Sequence, residues 1–354
     1  MLNVLVIFGG RSSEYEVACR SGAYVVSQLD RKKYTVHTVG VSKQGVWAYT
    51  NATPGQMADL SWETLSDNRP CVLSPDAALH GLLFEDGEKI PVDVVFPMMH
   101  GKNGEDGSIA ALCQLAGLPQ VGCSMTSGAT SMDKMITKVI CERFGIPQAD
   151  WTYCYAREIF DDVERQADLV MKKLPFPVFV KPASAGSSVG IGKAKDRDGL
   201  IAALKEAAQH DFKVVIEAFV AGQEVEVAVL GDRFEPIVSG VGEIAPTAEF
   251  YSYDAKYNDD TSALYIPARL PDKTAQALRA YAAKVFYHME CAGMSRVDFF
   301  VTTDGKVLFN EINTIPGHTV ISMYPKLMAH HGLDGRACTD ALIEGALKRA
   351  KQPC

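Results

Sequence analysis

The segment that most constrains this 354-residue chain is Ser295-Arg-Val-Asp-Phe-Phe-Val-Thr-Thr-Asp-Gly-Lys-Val-Leu-Phe-Asn-Glu-Ile-Asn313. Two strand-like runs flank Asp304-Gly305, a dipeptide favoured in two-residue β-hairpin loops. That loop predicts Thr303 opposite Lys306, Asp298 opposite Glu311 and Arg296 opposite Asn313. Side chains two apart share a face of a strand, so these last four project together. Facing carboxylates with Cβ atoms about 5 Å apart destabilise a sheet unless something offsets their charge. Arg296 offsets part of it, and a divalent cation on Asp298, Glu311 and Asn313 would offset more. A small set of hard oxygen donors suits Mg2+, which keeps waters and substrate phosphates in its shell. The alternative is a solvated polar hairpin end. A turn of different register would rotate one strand's set away.

Upstream, the pattern is α/β. Leu2 to Phe8 is an unbroken apolar run, as in a parallel strand buried on both faces. Gly9-Gly10 turns the chain, and Ser12 or Ser13 can cap a helix running through Val17, Ala23 and Val26 to Leu29. Strands are expected at Tyr34 to Val41, Val92 to Met98 and near Val121, with a helix from Ser108 to Leu115. This order predicts a doubly wound parallel-sheet domain to about residue 122. The stretch from Val46 to Ile90 reads as an insertion or hairpin. A central unit, 123–220, has a helix around Met135 to Phe144 and strands at Phe176 to Lys181 and Val214 to Glu217. Residues 221–354 form a mixed α+β unit. The length supports two or three domains at about 150 residues each.

Composition narrows the function classes. Lys and Arg number 35 against 43 Asp and Glu, a net charge of −8, which argues against a nucleic-acid-coating surface. The nine cysteines form no C-x-x-C pair, so reduced thiols in a cytoplasm are expected rather than a zinc site or disulfide framework. No apolar run approaches a membrane span, and the N-terminus lacks a secretory pattern.

Gly192-Lys193 is followed by Ala194, so there is no P-loop, and no G-x-G-x-x-G follows a strand. Phosphate chemistry is suggested instead by Lys181, which closes a strand ahead of Pro182-Ala-Ser-Ala-Gly-Ser-Ser-Val-Gly-Ile-Gly192. Such a loop can lay N–H and hydroxyl groups on phosphate oxygens and close over them. Lys134, Lys181 and Lys256 are candidate phosphate partners.

These segments, with Gly9-Gly-Arg-Ser-Ser-Glu-Tyr-Glu-Val17, His100-Gly-Lys-Asn-Gly-Glu-Asp-Gly107, Ser131-Met-Asp-Lys134, Phe250-Tyr-Ser-Tyr-Asp-Ala-Lys-Tyr257 and Asn310-Glu-Ile-Asn-Thr-Ile-Pro-Gly317, occur in an order that resembles the ATP-grasp enzymes. The resemblance is to the D-alanine–D-alanine ligases and their vancomycin-resistance relatives, along nearly the whole chain. It implies a three-domain architecture and a cytoplasmic, homodimeric enzyme of peptidoglycan synthesis, with D-alanine and ATP as substrates. ATP phosphorylates one D-alanine, and the amine of a second displaces phosphate. The resemblance assigns Glu14 to the first substrate's ammonium, in a triad with Ser187 and Tyr257, and places His100 close by. Arg296 and the Gly317 N–H would stabilise the oxyanion. Lys134, Lys181, Ser187, Ser188 and Lys256 would contact the nucleotide phosphates. Glu217, Ala218, Phe219 and Val220 would line the adenine, and Glu224 would take the ribose hydroxyls. Asp298, Glu311 and Asn313 would hold two Mg2+ ions, with Mn2+ able to substitute.

The chain departs from the pattern at Ala18, where relatives carry Ser, and at His318-Thr-Val-Ile-Ser322. Ser322 and Met323 fall in the second-substrate subsite. Tyr257 with Met323 favours D-alanine there, whereas the N-terminal unit resembles the D-serine ligases most. A D-alanine–D-serine ligase is therefore the second expectation. A catalytically inactive ATP-binding protein is the third.

Overall fold

The computed structural model describes residues 1–186, 189–245 and 263–351. Three sheets carry the architecture. The first contains β1 (Leu2–Gly9), β2 (Tyr34–Val41), β3 (Trp47–Tyr49), β4 (Arg69–Leu73), β5 (Gly81–Phe84), β6 (Lys89–Pro91) and β7 (Val94–Met98). Its order is β6-β5-β4-β3-β2-β1-β7. Only β2, β1 and β7 run parallel. Val4 to Phe8 of β1 are fully buried, as a strand covered on both faces requires. The irregular stretch from Val46 to Ile90 extends this sheet by antiparallel strands. The strand expected near Val121 is reduced to a single bridge between Val95 and Gln120.

The second sheet is β8 (Trp151–Tyr155), β9 (Val178–Pro182), β10 (Gly192–Ala194) and β11 (Lys213–Ala218), ordered β10-β9-β11-β8 and antiparallel. The Gly/Ser loop connects β9 to β10. The third is β12 (Gly222–Gly231), β13 (Ile237–Ala245), β14 (Ala263–Tyr265), β15 (Gly293–Thr302) and β16 (Val307–Asn313), ordered β14-β13-β12-β15-β16 and also antiparallel. Helix Asp272–His288 packs Leu278, Val285 and Phe286 on Val227, Val297 and Phe299 of this sheet, and Cys141 and Ile146 join that core. On the other face, Ala228, Leu230 and Met294 share a core with Tyr324, Leu342 and Phe96, which joins the third sheet to the first.

The hairpin of β15 and β16 corrects one expectation. Thr302 N–H donates to Lys306 O at 2.9 Å, so the loop is Thr303-Asp304-Gly305, three residues rather than two. Gly305 takes φ +82°, a left-handed conformation that suits glycine at the end of such a loop. Pairs near the turn are accordingly shifted by one: Val301 faces Val307, and Phe299 faces Phe309. A β-bulge at Asn310 then takes up the extra residue. Beyond it, Asp298 faces Glu311 and Arg296 faces Asn313, the pairing expected from a different turn.

Candidate active site

The three sheets surround a cavity of about 530 Å³. Glu14, His100 and Glu105 reach it from the N-terminal unit. Lys134, Lys181, Gly186, Glu217, Ala218, Phe219 and Val220 reach it from the middle of the chain. Glu224, Glu226, Arg296, Glu311, Asn313, Gly317, Ser322 and Met323 come from the C-terminal unit. Ser187, Ser188, Lys256 and Tyr257 lie outside the described residues.

Glu14 is 8% exposed and ends the turn before helix Tyr15–Gln28. Glu14 itself is the N-cap and makes no side-chain cap bond; Ser12 Oγ, two residues earlier, accepts from the Glu14 N–H at 3.1 Å and supports the helix start from there. A Cβ on Gly186 would lie 2.4 Å from Glu14 Oε2, so the chain at Gly186 approaches this carboxylate closely and a side chain there would push it aside.

Where β11 meets the cavity, Glu217 projects between two lysines. Its Oε1 meets Lys138 Nζ at 2.8 Å and its Oε2 meets Lys181 Nζ at 2.6 Å. Burial pushes the Glu217 carboxyl up, but the two ammonium groups outweigh burial and hold it at about 2. For Lys181, burial opposes the charge, and the Glu217 pairing overrides it and raises the pKa. Sequence reasoning missed Lys138, which is 2% exposed and one helical turn after Lys134. That four-residue spacing was the available signal. Ala218, Phe219 and Val220 line the cavity beside it, and Phe219 lies 6.1 Å from Phe179, centroid to centroid.

At the hairpin, Arg296 donates Nε–H to Asp298 Oδ1 at 2.8 Å and Nη2–H to Asp298 Oδ2 at 2.7 Å. Asn313 Nδ2–H also donates to Asp298 Oδ2, at 3.1 Å. Arg296 Nε lies 3.1 Å from Glu226 Oε2, and Lys134 Nζ lies 3.8 Å from Glu311 Oε2. Glu226 was also missed; it faces Asp298 from β12, so three carboxylates run across adjacent strands. Of the three expected metal ligands, Glu311 and Asn313 are on the cavity wall, whereas Asp298 lies beneath Arg296. Among the described residues no three His, Cys, Asp or Glu side chains already converge as a metal cage. The donor set itself fits Mg2+: two carboxylates and an amide oxygen, of which Glu311 and Asn313 open toward the cavity where phosphates would complete the shell, while Asp298 is held by Arg296.

His100 has both ring nitrogens engaged by the protein, Nδ1 at 2.8 Å from Ile315 O and Nε2 at 2.8 Å from Ser21 Oγ. Burial lowers its pKa to about 4, so the ring is neutral. Ser322 Oγ accepts from Thr319 N–H at 3.1 Å, and Met323 is 5% exposed. A Cβ on Gly242 would come within 2.5 Å of the Met323 sulfur.

This arrangement of lysines, a glycine loop and a carboxylate hairpin around one cleft is that of an ATP-grasp ligase. Residues 3–123 match the D-ala D-ala ligase N-terminus family and residues 140–344 the D-ala D-ala ligase C-terminus family. The D-alanine–D-alanine ligase of Acetivibrio thermocellus is 44% identical over 361 residues, 98% of this chain and 96% of that protein. That of Caldicellulosiruptor bescii is 44% identical over 356 residues, 99% of this chain and 96% of that protein. Among solved structures, the VanG D-Ala:D-Ser ligase from Enterococcus faecalis has a TM-score of 0.88 at 35% identity, covering 98% of this chain and 99% of that one. The D-alanine-D-alanine ligase from Coxiella burnetii has 0.85 at 33%, covering 99% and 96%. The chain belongs to the D-alanine–D-alanine ligase family. Among the described residues, no helix is long and apolar enough to cross a membrane.

Proposed function

We propose that the chain joins two D-alanines to D-alanyl-D-alanine at the expense of ATP, for peptidoglycan precursor synthesis. The observation that carries this reading is the convergence of Lys134, Lys181, Arg296, Glu311, Asn313 and Gly317 on one cavity beside Glu14. A carboxylate oxygen of the first D-alanine attacks the γ-phosphorus, releasing ADP. The amine of the second D-alanine then adds to the acyl carbon and releases a proton to solvent, and phosphate leaves with the carboxylate oxygen. Anion meets anion in the first step, so cationic groups are needed at the phosphates. Lys134 and Lys181 supply them, and Glu217 aims Lys181 from behind. Two Mg2+ ions on Asp298, Glu311 and Asn313, with Mn2+ able to replace them, would neutralise charge on the transferring phosphoryl group. Arg296 and the Gly317 N–H face the developing oxyanion. Arg suits this task because it stays charged and donates several N–H groups. Glu14 holds the first ammonium, in a triad with Ser187 and Tyr257. Ser188 and Lys256 serve the phosphates, Ala218 to Val220 the adenine and Glu224 the ribose.

The same reading divides the chain into units 1–122, 123–220 and 221–354, each containing one sheet, assembled as a cytoplasmic homodimer. The test is purified protein with Mg-ATP and D-alanine. Phosphate and dipeptide released together support the reading, and no turnover overturns it.

A second reading, D-serine as acceptor, is favoured by the likeness to the VanG ligase. Met323 weighs against it, because an apolar side chain beside the acceptor suits a methyl group. Competition between D-alanine and D-serine at equal concentration separates the two.

A further inference from the structure

Residues Ile315 to His318 cross the cleft with Pro316 buried on one side of Gly317 and His318 on the other. Proline has no N–H, so three backbone donors remain in this stretch. Ile315 N–H donates to Glu105 Oε1 at 3.1 Å, and His318 N–H donates to Ser21 Oγ at 3.1 Å. Among the described residues, the Gly317 N–H has no partner, and Gly317 lines the cavity. A donor left open between two that are tied is the arrangement an oxyanion site requires.

The ties form a directional chain. Ile315 O can only accept, so His100 Nδ1 carries the hydrogen in their 2.8 Å contact. In the neutral ring Nε2 must then accept from Ser21 Oγ–H, at 2.8 Å. Ser21 Oγ uses a lone pair for His318 N–H. Glu105 adds the second hold on Ile315, and its Oε2 accepts from Gly101 N–H at 2.9 Å. Ser21 is fully buried on helix Tyr15–Gln28, nearly the whole chain away from His318 in sequence.

We propose that Ser21, acting with His100 and Glu105, is a positioning residue that aims the Gly317 N–H at the tetrahedral intermediate. The inference rests on the ligase reading above. Three side chains of the N-terminal unit thereby set an oxyanion donor of the C-terminal unit. The two units must be docked for the second chemical step to be fast. Oxyanion donors act only when fixed at the place where charge develops, so a small loosening costs rate without costing nucleotide binding.

The test is Ser21→Ala, read as kcat for phosphate release, affinity for a tetrahedral phosphinate isostere of the dipeptide, and affinity for ADP. With native protein turning over, kcat and phosphinate affinity should fall together by about 10- to 100-fold, with ADP affinity within about 2-fold. Unchanged kcat and phosphinate affinity would overturn the proposal, as would an equal loss of ADP affinity, which marks a merely structural role. If Ser21→Ala fails to fold, Glu105→Gln is read by the same criteria. Its amide NH2 cannot accept one of the two N–H bonds that Glu105 now accepts. A native chain without turnover would overturn the ligase reading itself, and the clamp's catalytic role with it.

Discussion

Arg296 and Asp298, two residues apart on β15, grip each other through two parallel hydrogen bonds of 2.8 and 2.7 Å. The guanidinium also reaches Glu226 at 3.1 Å. It thus offsets the row of carboxylates while sitting on the cavity wall. Lysine cannot reproduce a planar two-point fork. Arg296→Lys should therefore lower kcat by about 10²- to 10³-fold while changing the KM for ATP little. Steady-state phosphate release checks this; a loss under about 5-fold would remove Arg296 from the oxyanion.

Glu217 is the hub of the other charge cluster. Breaking a buried pair by removing one partner costs about 3–5 kcal/mol, because the remaining charge stays buried. Glu217→Gln should destabilise the protein by that order in urea unfolding and raise the KM for ATP as Lys181 loses its guide. Removing the stranded buried cation as well, in Glu217→Gln/Lys138→Met, should recover part of the stability. A double variant no more stable than the single one would contradict the account.

The pH dependence of stability carries two opposing signs. Burial and the neighbouring Glu14 charge push the Glu105 carboxyl up, to about 8. The folded chain then holds a proton that the unfolded chain releases near the ordinary carboxylate range. Stability from this group is present at low pH and is lost as pH rises through about 8. Urea midpoints at pH 6 and 8.5 should fall more in the native chain than in Glu105→Gln, and parallel changes would contradict this. Burial holds His100 and His318 at about 4, below their ordinary 6.5. Their contribution is present above pH 6.5 and is lost as pH falls toward 4.

Chelation tests the metal reading. Excess EDTA should abolish phosphate release, and Mg2+ or Mn2+ should restore it. Asn313→Ala should raise the Mg2+ concentration needed for half-maximal rate by about 10-fold, the scale seen when the surroundings of a metal are disturbed. An unchanged Mg2+ requirement would remove Asn313 from the metal site.

Much of the site was legible because strand alternation places Arg296, Asp298, Glu311 and Asn313 on one face whatever lies around them. The turn was not, since Asp304-Gly305 serves two- and three-residue loops alike. Asn310 gives no local sign that it will bulge and restore the pairing. Glu226 becomes readable only once β12 is known to lie beside β15, a non-local fact. Ser21 and Glu105 were overlooked for the same reason. Their partners, His318 and Ile315, are brought to them by packing between units, which no periodicity encodes. The stretch from Val46 to Ile90 reads only as an insertion or hairpin, because strands of three to five residues carry little periodicity to place them.

The central claim, that ATP energises an amino-acid carboxyl in this cleft, is tested most directly with D-alanine carrying 18O in its carboxylate. Turnover with Mg-ATP should give inorganic phosphate bearing one 18O atom, because the carboxylate oxygen that attacks phosphorus departs with it. Phosphate free of label, accompanied by dipeptide or not, would contradict the account.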